Sequence, residues 1–552
     1  MCTRAKSGLV KPKLFQDFVT FHTKLPTEPK NFKHALEHPQ WKQAMTEEFS
    51  ALQKNKTWSL VPFDKSMNLL GCKWVFKLKQ KADDSVERYK ARLVAKGFLQ
   101  QDGEDFNETF SPVVKIATVR TILTIAITNK WPIKQLDVSN AFLHGDLKEK
   151  VYMAQPPGFI DNTKPGHVCL LHKSLYGLKQ APRAWFDKFD NFLLLCGFKR
   201  SIADNSMFVC HTNKGMLVLL LYVDDIILTG TSEDLIHQLI SKLKTQFAMK
   251  DLGSLHYFLG IEAKPDSSNT SLLLTQSKYT IDLLKRTNML QCKPIDTPVK
   301  LGPRLSISDG DPIENSMQYR STVGALQYLT ITRPDITFAV NYVCQFMHSP
   351  RSVHWQAVKR ILRYLRGSLG FGIEIKPSNP CYLSSLSGYY DADWAGCPDS
   401  RRSTTGYCIF LGSNLISWNS RKQPTVSRST AEAEYRAMAS TTAELLWLSY
   451  LLRELGLPSE KFKLFTDNMS AKCLAYNPVF HSRSKHIDID YHFIRELVSR
   501  GKLDISFVSS QHQLADVMTK SLGFPSFLTL RSQIYGAKML ISLRREILAD
   551  VI

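Results

Sequence analysis

Two adjacent aspartates, Asp224 and Asp225, interrupt the apolar, β-rich stretch LVLLLYVDDIIL from Leu217 to Leu228. Burying two like charges in such surroundings is costly unless a cation neutralises them. A third aspartate, Asp137, lies in KQLDVSNAFLHG, where a short strand-like run precedes a turn into a helix. An aspartate at the end of one strand can meet an Asp-Asp turn between two others. Three carboxylates so placed make a site for two hard cations, which bind phosphate oxygens and activate a hydroxyl. The plain alternative is an Asp-rich turn without chemistry.

A second set of acids lies toward the C-terminus. Asp391 and Asp393 stand in GYYDADWAG, Glu432 and Glu434 open a long helical pattern, Asp467 ends KLFTD, and Asp516 begins a helix in HQLADVMTK. What distinguishes them from scattered acids is their position, at strand ends and helix starts around one expected sheet. Positions 434, 438, 441, 445, 448 and 452 are Glu, Met, Thr, Leu, Leu and Leu, an inward stripe at helical spacing that favours Glu434. Glu432 has Arg436 four residues on, the pattern of a surface pair. Asp391 and Asp393 stay open as alternatives.

The elements that must hold these groups follow from periodicity. Trp41 to Lys54 has helical spacing. Cys72 to Lys79 and Arg88 to Lys96 alternate strictly, which predicts two strands joined by the polar turn Gln80 to Glu87. One face of that ribbon carries Lys73, Lys77, Lys79, Arg88, Lys90, Arg92 and Lys96. Seven basic groups of one sign fit a phosphate-facing surface better than a solvated face of mixed sign. Strands and helices alternate from 110 to about 260, and polar breaks fall at Lys264 to Thr270 and Pro294 to Asn315. Tyr319 to Leu369 reads as helical, interrupted at Arg333-Pro334-Asp335, and a linker from Lys376 to Gly388 leads into a new α/β pattern. That pattern predicts strands at Leu386 to Ala392, Gly406 to Leu411, Leu415 to Ser420, Lys463 to Thr466 and Leu503 to Val508, with a helix from Thr430 to Leu455.

Composition narrows the class. Of 552 residues, 43 % are hydrophobic and 22 % charged, an ordinary globular balance. Lys and Arg number 71 against 50 Asp and Glu, leaving +21, which points to a polyanionic partner. The longest apolar run, Met216 to Val223, falls far short of the ~20 residues of a membrane helix. The opening MCTRAKSGLVKPK lacks the apolar core of a secretory signal. Eleven cysteines without a CxxC pair argue against a zinc ribbon and for a reduced, intracellular protein.

With these residues in view, Tyr222-Val223-Asp224-Asp225 resembles the YxDD signature of reverse transcriptases, and Asp137 in LDVSNAF resembles their first catalytic motif. RYKARLVAKGFLQ (88–100), SLYGLKQAPRAW (174–185) and LGSLHYFLGIE (252–262) resemble copia-type retrotransposon Pol polyproteins, over about residues 1–536. The resemblance implies a right-hand polymerase of fingers, palm and thumb, with Asp137, Asp224 and Asp225 as metal-binding triad. It places Phe142 against the sugar 2′ side and Tyr176 and Gly177 in the nucleotide and template pocket. The basic ribbon becomes the fingers, with Lys77, Arg88 and Arg92 toward the triphosphate and template. The C-terminal acids resemble the four-carboxylate set of ribonuclease H, which implies Asp391, Glu434, Asp467 and Asp516 as catalytic metal ligands. Many ribonucleases H also use a histidine before the last aspartate; His512 is read instead as a partly exposed loop residue. HSRSKHIDIDYHFIRE, His481 to Glu496, resembles a further copia-type stretch. Its Ser-Arg-Ser-Lys cluster fits a contact to hybrid phosphates better than its histidines fit a metal.

The expected architecture is therefore α+β and α/β multidomain. It comprises an extended, integrase-tail-like arm (1–40), polymerase fingers, palm and thumb (41–300), a helical connection (301–385), a ribonuclease H-like domain (386–524) and a C-terminal tail (525–552). The implied function is RNA-directed DNA synthesis with cleavage of the RNA strand of RNA–DNA hybrids. Mg2+ would serve with two ions per active site, Mn2+ being the substitute. Partners would be an RNA template, a DNA primer and product, the hybrid and dNTPs, with no membrane and the oligomeric state left open. The implied location is a cytoplasmic virus-like particle with entry to the nucleus. The opening residues resemble an integrase tail, so the chain is expected to be the terminal piece of a larger element or a truncated frame. The alternative is an inherited fragment that only binds nucleic acid.

Overall fold

Apolar side chains recur every third or fourth residue through 41–52 and every second residue through 72–95, and the chain folds accordingly. The computed structural model describes residues 28–80, 86–268, 270–459, 461–477 and 487–535. Two units emerge, Met1–Phe110 with Phe142–Trp185, and Ser111–Ala141 with Phe186–Ile552.

In the first unit, Cys72–Gln80 and Val86–Ala95 form the expected antiparallel ribbon, with Cys72 opposite Ala95 and Lys77 opposite Lys90. Trp74, Phe76, Ala91 and Leu93 are buried on one face, while Lys73, Lys77 and Arg88 on the other are exposed. The helix Pro39–Lys54 turns Trp41, Ala44, Met45 and Leu52 inward. Trp41 meets Phe76 and Tyr89 edge-on at 5.5 and 4.8 Å. Burying an aliphatic or phenyl side chain of this kind contributes about 1.5–3 kcal/mol, so the basic face is held flat by its apolar reverse. A four-stranded sheet runs in the order Trp58–Pro62, His167–Lys173, Asp146–Met153, Leu69–Leu70. The extended arm expected at 1–40 is helical over Phe32–Leu36, capped by the Asn31 side chain, which accepts from the His34 N–H. The rest of that arm, 1–27, and the ribbon turn 81–85 lie outside the described residues.

Among the described residues the second unit holds three sheets. The first is antiparallel, in the order Met249–Ser254, Ile133–Val138, Asp225–Gly230, Gly215–Tyr222, Met207–Thr212, Lys199–Arg200. Its central strands are buried on both faces from Leu217 to Leu221 and from Ile226 to Gly230, which is why Leu217 to Leu228 reads as a continuous apolar run rather than an alternating one. The second joins Tyr257–Phe258, Ile261–Pro265 and Leu272–Thr275 to Gly372–Ile375. Between them the chain is helical at Ser316–Leu329, Thr337–Cys344 and Ser352–Arg366, with the expected interruption at Pro334–Ile336.

The third sheet is mixed: Asn414–Lys422, Thr404–Leu411 and Leu386–Asp393 are antiparallel, and Phe462–Thr466 and Leu503–Phe507 add in parallel. The helix Thr430–Glu454 lies on it with Glu434, Met438, Thr441, Leu445, Leu448 and Leu452 buried. Arg120 ties the helix Ile116–Thr128 to the third sheet. Its guanidinium donates to the carbonyls of Ile416 and Ile331 and lies 3.6 Å over the Trp418 ring. The expected C-terminal tail is a packed helix over Phe524–Tyr535, because Phe527, Leu530, Arg531, Ile534 and Tyr535 are buried there. Residues 536–552 lie outside the described part. The result is the mixed α+β and α/β multidomain architecture that the patterns imply. No helix among the described residues is long and apolar enough to cross a membrane.

Candidate functional site

The hairpin of Gly215–Tyr222 and Asp225–Gly230 turns at Val223-Asp224, with Tyr222 opposite Asp225. Val223 sits at φ 58, a region that a β-branched residue adopts only under strain of about 1–3 kcal/mol. On the other side of the hairpin, Asp225 stands opposite Asp137, and the Val138 N–H donates to the Asp224 carbonyl at 2.9 Å. Register thus places Asp137 and Asp225 side by side on adjacent strands, with Asp224 in the turn next to them. The Asp225 carboxyl is pushed up to about 6, by burial first and then by Asp224 and Asp137. A divalent cation among them would remove that repulsion, and an all-oxygen donor set suits Mg2+ or Mn2+.

Within the first unit, the loop carrying Tyr176 and Gly177 crosses the end of the ribbon. The Ala95 N–H donates to the Tyr176 carbonyl at 2.8 Å. Gly177 has φ +90, and a Cβ there would lie 2.2 Å from the Ala95 carbonyl oxygen. A Cβ on Gly97 would in turn meet the Gly177 carbonyl at 2.0 Å. Two backbones pass here with no room for a side chain, so Gly177 acts by letting Tyr176 sit against the ribbon. The Arg92 guanidinium lies 4.4 Å over the Tyr176 ring, and Phe142 meets the same ring edge-on at 5.1 Å. Arg92, Phe142, Tyr176 and Gly177 therefore form one cluster. Lys77 and Arg88 are exposed further out along the ribbon, Arg88 about 13 Å from Arg92 along the strand.

The C-terminal acids converge from separate elements. Oxygens of Asp391, Asp467 and Asp516 lie within 4.8 Å of one another. Asp391 is on the central strand of the third sheet and Asp467 follows the parallel strand Phe462–Thr466. Asp516 belongs to a 3-10 helix, Leu514–Met518, a tighter turn than the helix expected there. Glu434, from the long helix, is buried, and its Oε2 has no hydrogen-bond partner. Its carboxyl is raised well above the usual range by burial, then by Asp391 and Asp467. Asp516 is pushed up to about 7 by burial and by Asp391, against the opposing pull of Lys520. The Thr519 hydroxyl donates to Asp391 Oδ2, and the Ser510 hydroxyl to Asp467 Oδ2 at 2.7 Å. An orphaned buried carboxylate oxygen beside three converging aspartates fits a divalent cation.

The two alternative acids have other partners. Asp393 pairs with Arg304 at 2.5 Å and accepts from the Thr404 N–H. Glu432 is buried rather than a surface group: its carboxylate accepts from the Arg428 N–H at 2.7 Å, just before the helix that Ser429 caps, and pairs with Arg436 at 3.0 Å. His512 is exposed, its Nδ1 2.9 Å from the Ser509 hydroxyl. Of the stretch His481 to Glu496, residues 481–486 lie outside the described residues, and Asp488–Ser499 is helical. Sequence reasoning missed Lys520 and Thr519, which both touch Asp391. The available signal was Lys520 four residues after Asp516.

Residues 55–301 match the family described as reverse transcriptase (RNA-dependent DNA polymerase). The chain is 48 % identical over 536 residues to the retrovirus-related Pol polyprotein from transposon RE1 of Arabidopsis thaliana, covering 97 % of this chain and 36 % of the relative. It is 44 % identical over 504 residues to the Pol polyprotein from transposon TNT 1-94 of Nicotiana tabacum, covering 89 % of this chain and 38 % of that protein. The putative transposon Ty5-1 protein YCL074W of Saccharomyces cerevisiae is 30 % identical over 312 residues, covering 56 % of this chain and all of that protein (100 %). The chain thus spans little more than a third of the two plant polyproteins.

Proposed function

Since the chain belongs to the copia-type retrotransposon Pol polyproteins, we propose that it is an RNA-directed DNA polymerase that also cleaves the RNA strand of RNA–DNA hybrids. The observation that carries this is the convergence of Asp137, Asp224 and Asp225 at one edge of a buried hairpin, in a chain that brings a second carboxylate cluster together on another sheet.

In this reading the chain is a right-hand polymerase joined by a helical connection to a ribonuclease H-like domain. Asp137, Asp224 and Asp225 would hold divalent ions, two in number, for synthesis, and Asp391, Glu434, Asp467 and Asp516 would do so for cleavage. Such ions supply stabilisation of negative charge on phosphate oxygens and lower the pKa of the attacking primer 3′-hydroxyl or water. The protein's own groups do the rest. Arg92, held against the Tyr176 ring, presents a fixed positive charge to a triphosphate, and Lys77 and Arg88 extend that charge along the template. Phe142, braced on Tyr176, shields the sugar 2′ position and so selects dNTPs. No base-specific protein contact is needed, because template pairing supplies the sequence information.

The test is primer extension on an RNA template by the purified chain in Mg2+. Extension supports the reading. Tight hybrid binding without extension or cleavage would leave the alternative, a fragment that only binds nucleic acid.

A further inference from the structure

Three acids and a buried glutamate in one place need a positive charge, and the chain brings one of its own. Lys520 Nζ lies 3.0 Å from Asp391 Oδ1 and 2.7 Å from Asp516 Oδ1. Those two carboxylates come from different elements, the central strand of the third sheet and the 3-10 helix Leu514–Met518. Their side chains are 2 % and 9 % exposed, whereas that of Lys520 is 37 % exposed. The ammonium of a partly exposed side chain thus reaches into a buried acid cluster. An ordinary i,i+4 surface pair would join only Asp516 to Lys520 and contribute tenths of a kcal/mol. Here the same ammonium also bridges to a nearly inaccessible aspartate, 129 residues away in sequence.

We propose that Lys520 is a built-in, exchangeable counter-cation: it bridges Asp391 and Asp516 while the cluster holds no metal, and it swings out to solvent when a divalent cation enters. The proposal rests on the reading of this cluster as the metal site of the nuclease. The reasons for exchange are steric and electrostatic. The ammonium on Asp391 Oδ1 and Asp516 Oδ1 competes with a divalent ion for those oxygens, and like charges a few ångströms apart repel. The partly exposed side chain gives the lysine an exit, and Thr519 stays bonded to the other oxygen of Asp391, so that carboxylate keeps its orientation during the exchange. Lys520 is a positioning residue in this account: by bridging Asp391 and Asp516 it keeps the two carboxylates assembled until the metal arrives.

Two measurements on the full chain decide it. The first is a calorimetric Mg2+ titration in chains that also carry Asp225→Asn, which weakens binding at the polymerase acids. Lys520→Gln is expected to bind Mg2+ more tightly, on the order of tenfold, and to melt at lower temperature without metal, while Lys520→Arg keeps the parent affinity. Equal or weaker Mg2+ binding by a folded Lys520→Gln chain would overturn the proposal. The second needs no substitution at Lys520. With an amine-reactive reagent and peptide mass spectrometry, Lys520 should be protected in chelator and labelled on Mg2+ addition. Labelling that is unchanged or falls with Mg2+ would overturn it too. Absence of any Mg2+ binding in the Asp225→Asn chain, with Lys520 intact or replaced, would instead remove the metal-site reading itself.

Discussion

The two carboxylate clusters solve the same electrostatic problem by different constructions. Asp137, Asp224 and Asp225 sit on neighbouring antiparallel strands, so one hairpin and its partner strand suffice to bring them together. Asp391, Glu434, Asp467 and Asp516 come from a strand, a long helix, a parallel strand end and a 3-10 helix, and require a whole mixed sheet. The second cluster also contains a lysine and two hydroxyls that hold its acids. A local cluster keeps its geometry as long as its hairpin does. A distributed one depends on long-range packing and carries internal scaffolding to hold like charges together. A third region shows what full compensation looks like. Arg333 and Asp335, 2 % and 0 % exposed, pair at 2.8 Å, and Tyr364 and Tyr535 donate to the same carboxylate at 2.5 and 2.6 Å.

The largest effect is expected at the hairpin. Asp224→Asn should lower primer extension about a thousandfold or more while leaving hybrid affinity within twofold or so, because stabilisation by a held ion is worth several kcal/mol and binding rests on basic side chains. Single-turnover extension and filter binding measure the two quantities. Near-normal extension would show that the hairpin aspartates are structural.

Next comes the compensated pair. Asp335→Asn leaves Arg333 buried without its counter-charge and should cost about 3–5 kcal/mol. Burial alone would raise the Asp335 pKa, but Arg333 and the two tyrosine hydroxyls outweigh it and hold the carboxyl below the ordinary aspartate range. A depressed folded-state pKa stabilises the native state above the unfolded value of about 4 and loses that stability as pH falls through the folded value. Urea midpoints of the parent chain should therefore drop below pH 4, and the Asp335→Asn chain should show a flatter acid limb. An identical acid limb in the two chains would assign acid sensitivity to other carboxylates.

A smaller effect concerns sugar choice. Phe142→Ala removes the ring braced on Tyr176 and should raise rNTP use relative to dNTP by about tenfold or more, if the lost contact is worth at least ~1.4 kcal/mol of discrimination. Competition assays with paired nucleotides read the ratio directly, and an unchanged ratio takes Phe142 out of that role. The smallest effect belongs to the exposed ribbon. Lys77→Ala and Arg88→Ala should each weaken hybrid binding a few-fold and lower the slope of log affinity against log salt by about 1. A slope that does not move would make the ribbon's outer face a solvated surface.

How much of this could be read from the chain follows the same division between local and distributed. The ribbon was legible because alternation is local: each Trp74 or Phe76 faces in and each Lys73 or Lys77 faces out. The hairpin was legible because two charges cannot interrupt Leu217 to Leu228 without a turn. Helical spacing was enough to turn Glu434 inward. The same spacing failed for Glu432, which folds back to accept from the Arg428 N–H ahead of its own helix. Arg120 gave no signal either, since an arginine in an apolar helix is satisfied by carbonyls more than 200 residues away in sequence. The role of Phe524–Tyr535 as a packed helix depends on Tyr535 reaching Asp335, and that of Lys520 on the strand carrying Asp391. Such pairings are set by topology, which no local period encodes.

Whether the two clusters work independently is decided by one assay. A hybrid of RNA template and DNA primer, labelled on both strands, is incubated with dNTPs, Mg2+ and the purified chain, and extension and RNA cleavage are followed in the same tube. The parent chain is expected to do both, Asp224→Asn to cleave without extending, and Asp467→Asn to extend without cleaving. Loss of both activities in a folded Asp467→Asn chain, or cleavage that survives the substitution, would contradict that expectation.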